Sequence, residues 1–148
     1  MTITLQQVET VLVGRAQKIM VLVGFSVMTV GTNEDLTDPI SMALRKVGVT
    51  VADITAPTND ELALVPEAKV DQFLDLAELR LWQNLLGSLD LVDTTALSRS
   101  EAWGQIAKQI QTKIDRLTER ITTAYVVPGT LTGGVISLDF QYDATDVL

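Results

Sequence analysis

The chain contains no cysteine and no histidine. Without Cys there is no disulfide framework and no thiol nucleophile. Without His the commonest general base, the commonest zinc ligand and every His-based triad are missing. Any catalysis would rest on carboxylates, Lys, Tyr or Ser, so the double absence weighs against an enzyme. Basic residues are also in the minority, with 11 Lys and Arg against 19 Asp and Glu and a net charge of −8. Such a chain is a poor general binder of nucleic acid or of anionic membranes. Long apolar runs are lacking too. The longest, Ile19 to Val30, covers 12 residues, short of the ~20 that span a bilayer. It starts too far from Met1 for a signal peptide, has Glu9 upstream and shows no small-residue cleavage pattern. It reads as a buried element of a soluble protein, with no targeting signal and no membrane partner.

What is present suits a single domain with a core. The apolar content of 47% in 148 residues is that of a globular chain. The periodicity is mainly helical. Thr4 with Gln7 forms a capping box, and Leu5, Val8, Leu12, Ala16, Ile19, Val23, Val27 and Val30 recur every three or four residues. One long or broken helix ending at Gly31 is expected, although the β-branched residues after Val21 also suit a strand. A second helix follows, capped by Thr37 or Asp38, with Pro39 at its first position and Gly48 at its end. Val49 to Ile54 is a candidate short strand. Thr58 and Glu61 form another capping box. Pro66 opens a long helix to Leu86, stopped by Gly87, whose apolar positions (Val70, Phe73, Leu74, Ala77, Leu81, Leu85, widened by Leu76, Leu79, Trp82 and Leu86) predict burial on more than one side. The last helix, Arg99 to Tyr125, starts at a Ser98–Glu101 capping box and carries a seam of Trp103, Ile106, Ile110, Ile114, Leu117, Ile121 and Ala124. The two long helices are expected to form an antiparallel hairpin.

After Pro128 the pattern changes. Thr130 to Gly134 reads as a hinge, and Gly133 to Asp143 alternates Ile136, Leu138, Phe140 and Tyr142 with Ser137, Asp139, Gln141 and Asp143. Period two is the signature of a strand with one apolar face. A strand cannot satisfy its own main chain, so Val49 to Ile54 or another protein has to pair with it. The expected fold class is therefore mainly α: a small helical bundle with a long hairpin (residues 1–128) and a C-terminal strand extension (129–148).

Charge is unevenly placed. Residues 98–128 hold Arg99, Lys108, Lys113, Arg116 and Arg120 against Glu101, Asp115 and Glu119, which leaves the remainder with a balance of −10. Lys113, Arg116 and Arg120 suit a contact between the basic face of one subunit and the acidic face of another, beside the simpler reading of a solvated face. Asp71, Asp75 and Glu78 share a helix face and could hold Mg²⁺ or Ca²⁺, but such rows are more often solvated or face a basic partner. Asn33, Glu34, Asp35 and Asp38 do not match the spacing of a calcium loop. Gly129, Gly133 and Gly134 lie between helix and strand, the reverse of the dinucleotide-binding order, and no aromatic residues interleave with Lys108, Lys113, Arg116 and Arg120 to stack bases. Trp82 and Trp103 lie in apolar stripes and read as core. No catalytic residue, cofactor or metal ligand is expected.

The segments TITLQQVETVL, PEAKVDQFLDLAELRLWQNLLG and SEAWGQIAKQIQTKIDRLTERI, in this order within residues 2–125, together with the acidic, Cys-free and His-free composition and the terminal extension, resemble the head-tail connector (adaptor, or head-completion) proteins of tailed bacteriophages. The resemblance is one of size, order and texture. It implies a virion neck protein, assembled in the host cytoplasm, that forms a closed ring of about twelve copies beneath the portal. Such a ring links the portal to the next neck or tail protein, with phage DNA passing non-specifically through an acidic lumen. The Ile136–Leu138–Phe140–Tyr142 face would then dock on a neighbouring subunit or neck protein by strand addition. Two other classes remain open: a homodimeric helical regulator or chaperone-like protein that holds a partner peptide in a groove, and an enzyme running on carboxylates and a metal.

Overall fold

The structure is a computed structural model that describes residues 2–89 and 97–125, with only the backbone of 97–102. The expected C-terminal strand and its hinge lie outside the described residues. The described part is mainly helical and contains no strand. Five α-helices follow one another: α1 (Leu5–Val23), α2 (Thr37–Lys46), α3 (Asn59–Leu62), α4 (Val70–Leu89) and α5 (Leu97–Ala124), with 3₁₀ turns at Glu34–Leu36 and Glu67–Lys69. No described helix is long and apolar enough to cross a membrane. The chain divides into two units, residues 1–118 and 119–148.

Both clearest capping boxes form as read. The Thr4 hydroxyl accepts from the Gln7 N–H and the Gln7 side chain accepts from the Thr4 N–H. Thr58 and Glu61 do the same at α3.

The first helix is shorter than its apolar pattern. It stops at Val23 because Gly24 takes a left-handed conformation, φ +84°, that other residues adopt only at a cost. The Phe25 N–H bonds to the Met20 carbonyl at 2.8 Å and the Gly24 N–H to the Val21 carbonyl at 3.2 Å, the paired bonds of a Schellman stop. Residues 25–30 leave the helix, and the 19–30 run is not wholly buried: Val21, Leu22, Met28 and Val30 are all about half exposed or more. Gly48 ends α2 by the same device, with Val49 N–H to Leu44 carbonyl at 3.0 Å.

The start of α2 also differs from expectation. Thr37 is its first residue, and the capping side chain lies upstream, where Asn33 Oδ1 accepts from the Asp35 N–H and opens the 3₁₀ turn. Pro39 sits inside the first turn, where no intrahelical N–H is needed. Gly87 does not stop α4, which continues to Leu89. α5 starts at Leu97, so Ser98 falls within its first turn rather than at the cap. Val49 to Ile54 is not a strand. The Ala52 N–H goes to Glu61 Oε2, the Ile54 carbonyl to the Ser41 hydroxyl and the Asp53 carbonyl to the Ala56 N–H, so side chains and a turn take these three main-chain groups.

α4 is the central element, and its two close helix neighbours are α2 and α1. Phe73, Ala77, Leu81, Trp82 and Leu85 of α4 are buried with Leu12 and Met20 of α1 and Ile40 and Leu44 of α2. The burial on several sides expected for α4 is thus met largely within the chain. Among the described residues the expected α4–α5 hairpin is not one of the close helix pairs, and the connection between the two helices lies outside them. α5 joins the core through Ile110, Ile114 and Leu117 of its seam, which are buried, with Trp103, Ile106 and Ala107 partly buried against them. Burying a Leu or Phe side chain contributes about 1.5–3 kcal/mol relative to leaving it exposed, so this shared core outweighs any single polar contact below.

Candidate functional site

Two polar systems tie the helices together and set which surfaces remain open. The first holds the segment after α1. Glu9 lies in the stripe Val8, Leu12, Val13, Ala16 and is 2% exposed. Its Oε1 accepts from the Gly31 N–H at 2.6 Å and its Oε2 from the Asn33 N–H at 2.8 Å. Asn33, equally buried, donates through Nδ2 to the carbonyls of Ser26 and Met28 at 2.8 and 2.9 Å. Asp35 Oδ2 accepts from the Ser26 N–H at 2.7 Å. A buried carboxylate needs strong donors, and two backbone N–H groups supply them. The segment 25–33 is thereby pinned to α1 by side chains rather than by strand pairing.

The second system links α1, α4 and α5. Arg15 donates to Glu78 Oε1 at 2.7 Å and lies 3.8 Å from Asp75, which is buried. The other Glu78 oxygen accepts from Trp82 Nε1 at 3.0 Å. The Lys113 ammonium lies 5.2 Å from the centre of the Trp82 ring, within cation–π range. Between α2 and α4, Asp38 accepts from Arg80 Nε at 2.7 Å and from Asn84 Nδ2 at 2.8 Å. Burial alone would raise the Asp38 carboxyl, but the Arg80 and Asn84 hydrogen bonds and the Arg80 charge outweigh it and hold the group below the usual Asp range. On the surface, hydrogen bonds from Thr55 lower Asp53, and those from the Ala52 and Thr58 N–H groups lower Glu61.

These contacts reassign the carboxylates singled out in the sequence. Asp71, Asp75 and Glu78 do not act as one row: Asp71 is exposed, and Asp75 and Glu78 face Arg15. In the Asn33–Asp38 stretch, Asn33 and Asp35 hold the loop and Asp38 holds Arg80. Among the described residues no group of three or more acidic side chains is placed to share a metal ion.

Of the expected contact residues, Lys113 and Arg116 are exposed on α5, as is Lys108. Arg120 is exposed in the second unit. Among the described residues Lys108 and Arg116 form no ion pair. Lys113 serves partly inside the fold, as the cation over Trp82. Ile136, Leu138, Phe140 and Tyr142 lie outside the described residues. Trp82 is buried as core, and Trp103 is half-buried against it.

Sequence reading missed Glu9, Asn33, Arg15 and the Asp38–Arg80 pair. The usable signal was a charge inside an apolar stripe: Glu9 sits with Leu12, Val13 and Ala16, and Asp75 between Leu74 and Ala77. A charge so placed must find a donor or a counter-charge when the stripe is buried. No protein-family model, curated protein or solved structure matches the chain. The fold and contacts define a small, mainly α-helical protein.

Proposed function

We propose that this chain is a structural adaptor of a tailed-phage neck, forming a ring of about twelve copies beneath the portal and joining it to the next neck or tail protein. The observation that carries the reading is the build of α5. It buries one seam, Ile110, Ile114 and Leu117, and leaves Lys108, Gln111, Thr112, Asp115 and Arg116 exposed. It leads into 24 further residues, of which Ile136 to Asp143 have a strand-like apolar alternation. A helix with a free mixed-charge face and an extension that needs a pairing partner suits an assembly subunit. The acidic excess outside α5 suits a lumen through which DNA slides without sticking. In this reading Ile136, Leu138, Phe140 and Tyr142 provide strand addition, and Lys113, Arg116 and Arg120 provide charged subunit contacts.

The test is to mix the purified chain with portal rings and image the product by electron microscopy. A ring added to one face of the portal is expected. Absence of the chain from portal complexes at micromolar concentration, with the protein folded, would overturn the reading.

A second reading, a helical regulator holding a partner peptide, is favoured by one feature. A cleft of about 580 Å³ lies beside α1 and the start of α4, lined by Ile3, Gln6, Gln7, Val11, Glu67 and Val70. In that case the chain would be a stable dimer in solution that does not add to portal rings, and Val11→Asp would abolish peptide capture.

A further inference from the structure

Among the described residues the segment Phe25 to Val30 is an open edge. From Ser26 to Thr29 its main-chain groups alternate in use, while the Phe25 N–H is held by the Met20 carbonyl and the Val30 groups make no hydrogen bond among the described residues. The Ser26 N–H, the Ser26 carbonyl and the Met28 carbonyl are bonded to Asp35 and Asn33, and the Met28 N–H to the Ser26 hydroxyl. The N–H and carbonyl groups of Val27 and Thr29 make no hydrogen bond among the described residues. Side chains alternate as well: Phe25 and Val27 pack against the core, while Met28 and Val30 are 53% and 62% exposed. Both alternations are those of a strand whose inner side is occupied by Asn33 and Asp35 and whose outer side is unpaired.

This edge carries no protective residue of its own. Exposed strand edges in monomeric proteins are usually blunted by Lys, Glu or Pro, and residues 25–30, FSVMTV, contain none of these. Four of the six large apolar side chains exposed among the described residues fall between positions 21 and 30: Val21, Leu22, Met28 and Val30. The chain carries one segment with the matching property. Residues 136–142 alternate apolar and polar side chains, and in the other internal candidate for pairing with them, Val49 to Ile54, the Val49 and Ala52 N–H groups and the Asp53 and Ile54 carbonyls are already bonded within the fold.

We infer that residues 26–30 of one copy accept the 136–142 segment of a second copy as an added strand, paired through the main chain of Val27 and Thr29. The Ile136, Leu138, Phe140 and Tyr142 face then lies beside Met28 and Val30 and covers them. The choice of a second copy as donor rests on the adaptor reading above.

The natural absence of cysteine makes the test direct. Full-length Met28→Cys protein is mixed with full-length chains carrying a single cysteine at each position from Ile136 to Tyr142, and disulfide adducts are quantified under mild oxidation. Expected is a heterodimer whose yield alternates along the tail with period two, being higher at one parity. Thr29→Pro, added to the Met28→Cys chain, removes one outer N–H and leaves the Asn33 and Asp35 contacts alone. It should lower the yield about fivefold, the effect of one main-chain hydrogen bond, with an unchanged circular dichroism spectrum. A flat yield along the tail, a yield no higher than from an exposed control such as Glu67→Cys, or a bridge that forms only within a single doubly substituted chain overturns the pairing. Periodic adducts in a protein that fails to bind the portal would instead count against the adaptor reading and leave the edge intact.

Discussion

Glu9 in α1 accepts the Asn33 N–H at 2.8 Å, and Asn33 in turn donates to the carbonyls of Ser26 and Met28. One buried carboxylate therefore decides the path of the residues that follow α1. Glu9→Gln preserves the shape but turns an amide donor towards a backbone donor. A loss of about 1–3 kcal/mol is expected, the usual effect of leaving a buried polar group unmatched. Urea unfolding should show a lower midpoint at unchanged slope. Asn33→Ala should cost a similar amount, and the double variant less than the sum, because both act on one network. An unchanged midpoint for Glu9→Gln would mean that this carboxylate does not hold the segment.

Arg15 and Arg80 make similar-looking ion pairs that should differ in worth. Arg15 faces Asp75, whose side chain is 2% exposed, and Glu78, at 12%; Arg80 faces Asp38, at 48%. Removing the partner of a buried charge is costly, whereas a pair open to water contributes little. Arg15→Ala should destabilise by about 2–3 kcal/mol and Arg80→Ala by at most about 1 kcal/mol. Thermal melts of the two variants side by side test the order. Equal losses would contradict it.

Asp38 sets part of the acid sensitivity. Its folded carboxyl lies below the usual range near 3.8, so the unfolded chain takes up the proton first as pH falls. The contribution is complete above the unfolded value and is lost as pH drops below about 4, through the lower folded value. Asp38→Asn should therefore shrink the difference in urea midpoint between pH 6 and pH 3. A wild-type-sized difference in the variant would remove Asp38 from this role.

Two glycines should respond in opposite directions. An added Cβ at Gly24 or at Gly87 meets no atom within 4 Å, so space is not the issue at either. Gly24 has φ +84°, and Gly87 is inside α4. Gly24→Ala should cost about 1 kcal/mol through backbone strain. Gly87→Ala should add about 0.5–1 kcal/mol through helix propensity and a less flexible unfolded chain. Melting temperatures moving the same way for both would refute the assignment of Gly24 as the helix stop.

Helical character, the Thr4–Gln7 and Thr58–Glu61 boxes, the Gly48 stop and the buried seam of α5 are local properties, and the sequence by itself determined them. Each depends on residues within one or two turns: a hydroxyl three positions before an acceptor, a glycine after the last turn, apolar side chains every three or four residues. The end of α1 at Gly24 was local too, and was masked because the apolar spacing continues to Val30.

Other features were decided by tertiary structure alone. Helix neighbours follow from which stripes fit together in space, and among the described residues the close neighbours of α4 are α2 and α1. Val49 to Ile54 loses its strand to Glu61 and Ser41, contacts of 9 and 13 residues in separation. Glu9 reaches Asn33 across 24 residues and Arg15 reaches Glu78 across 63. Such bonds form only where packing has already brought the groups together and excluded water. A lone charge in an apolar stripe announces that a partner must exist, and only the packed chain names it.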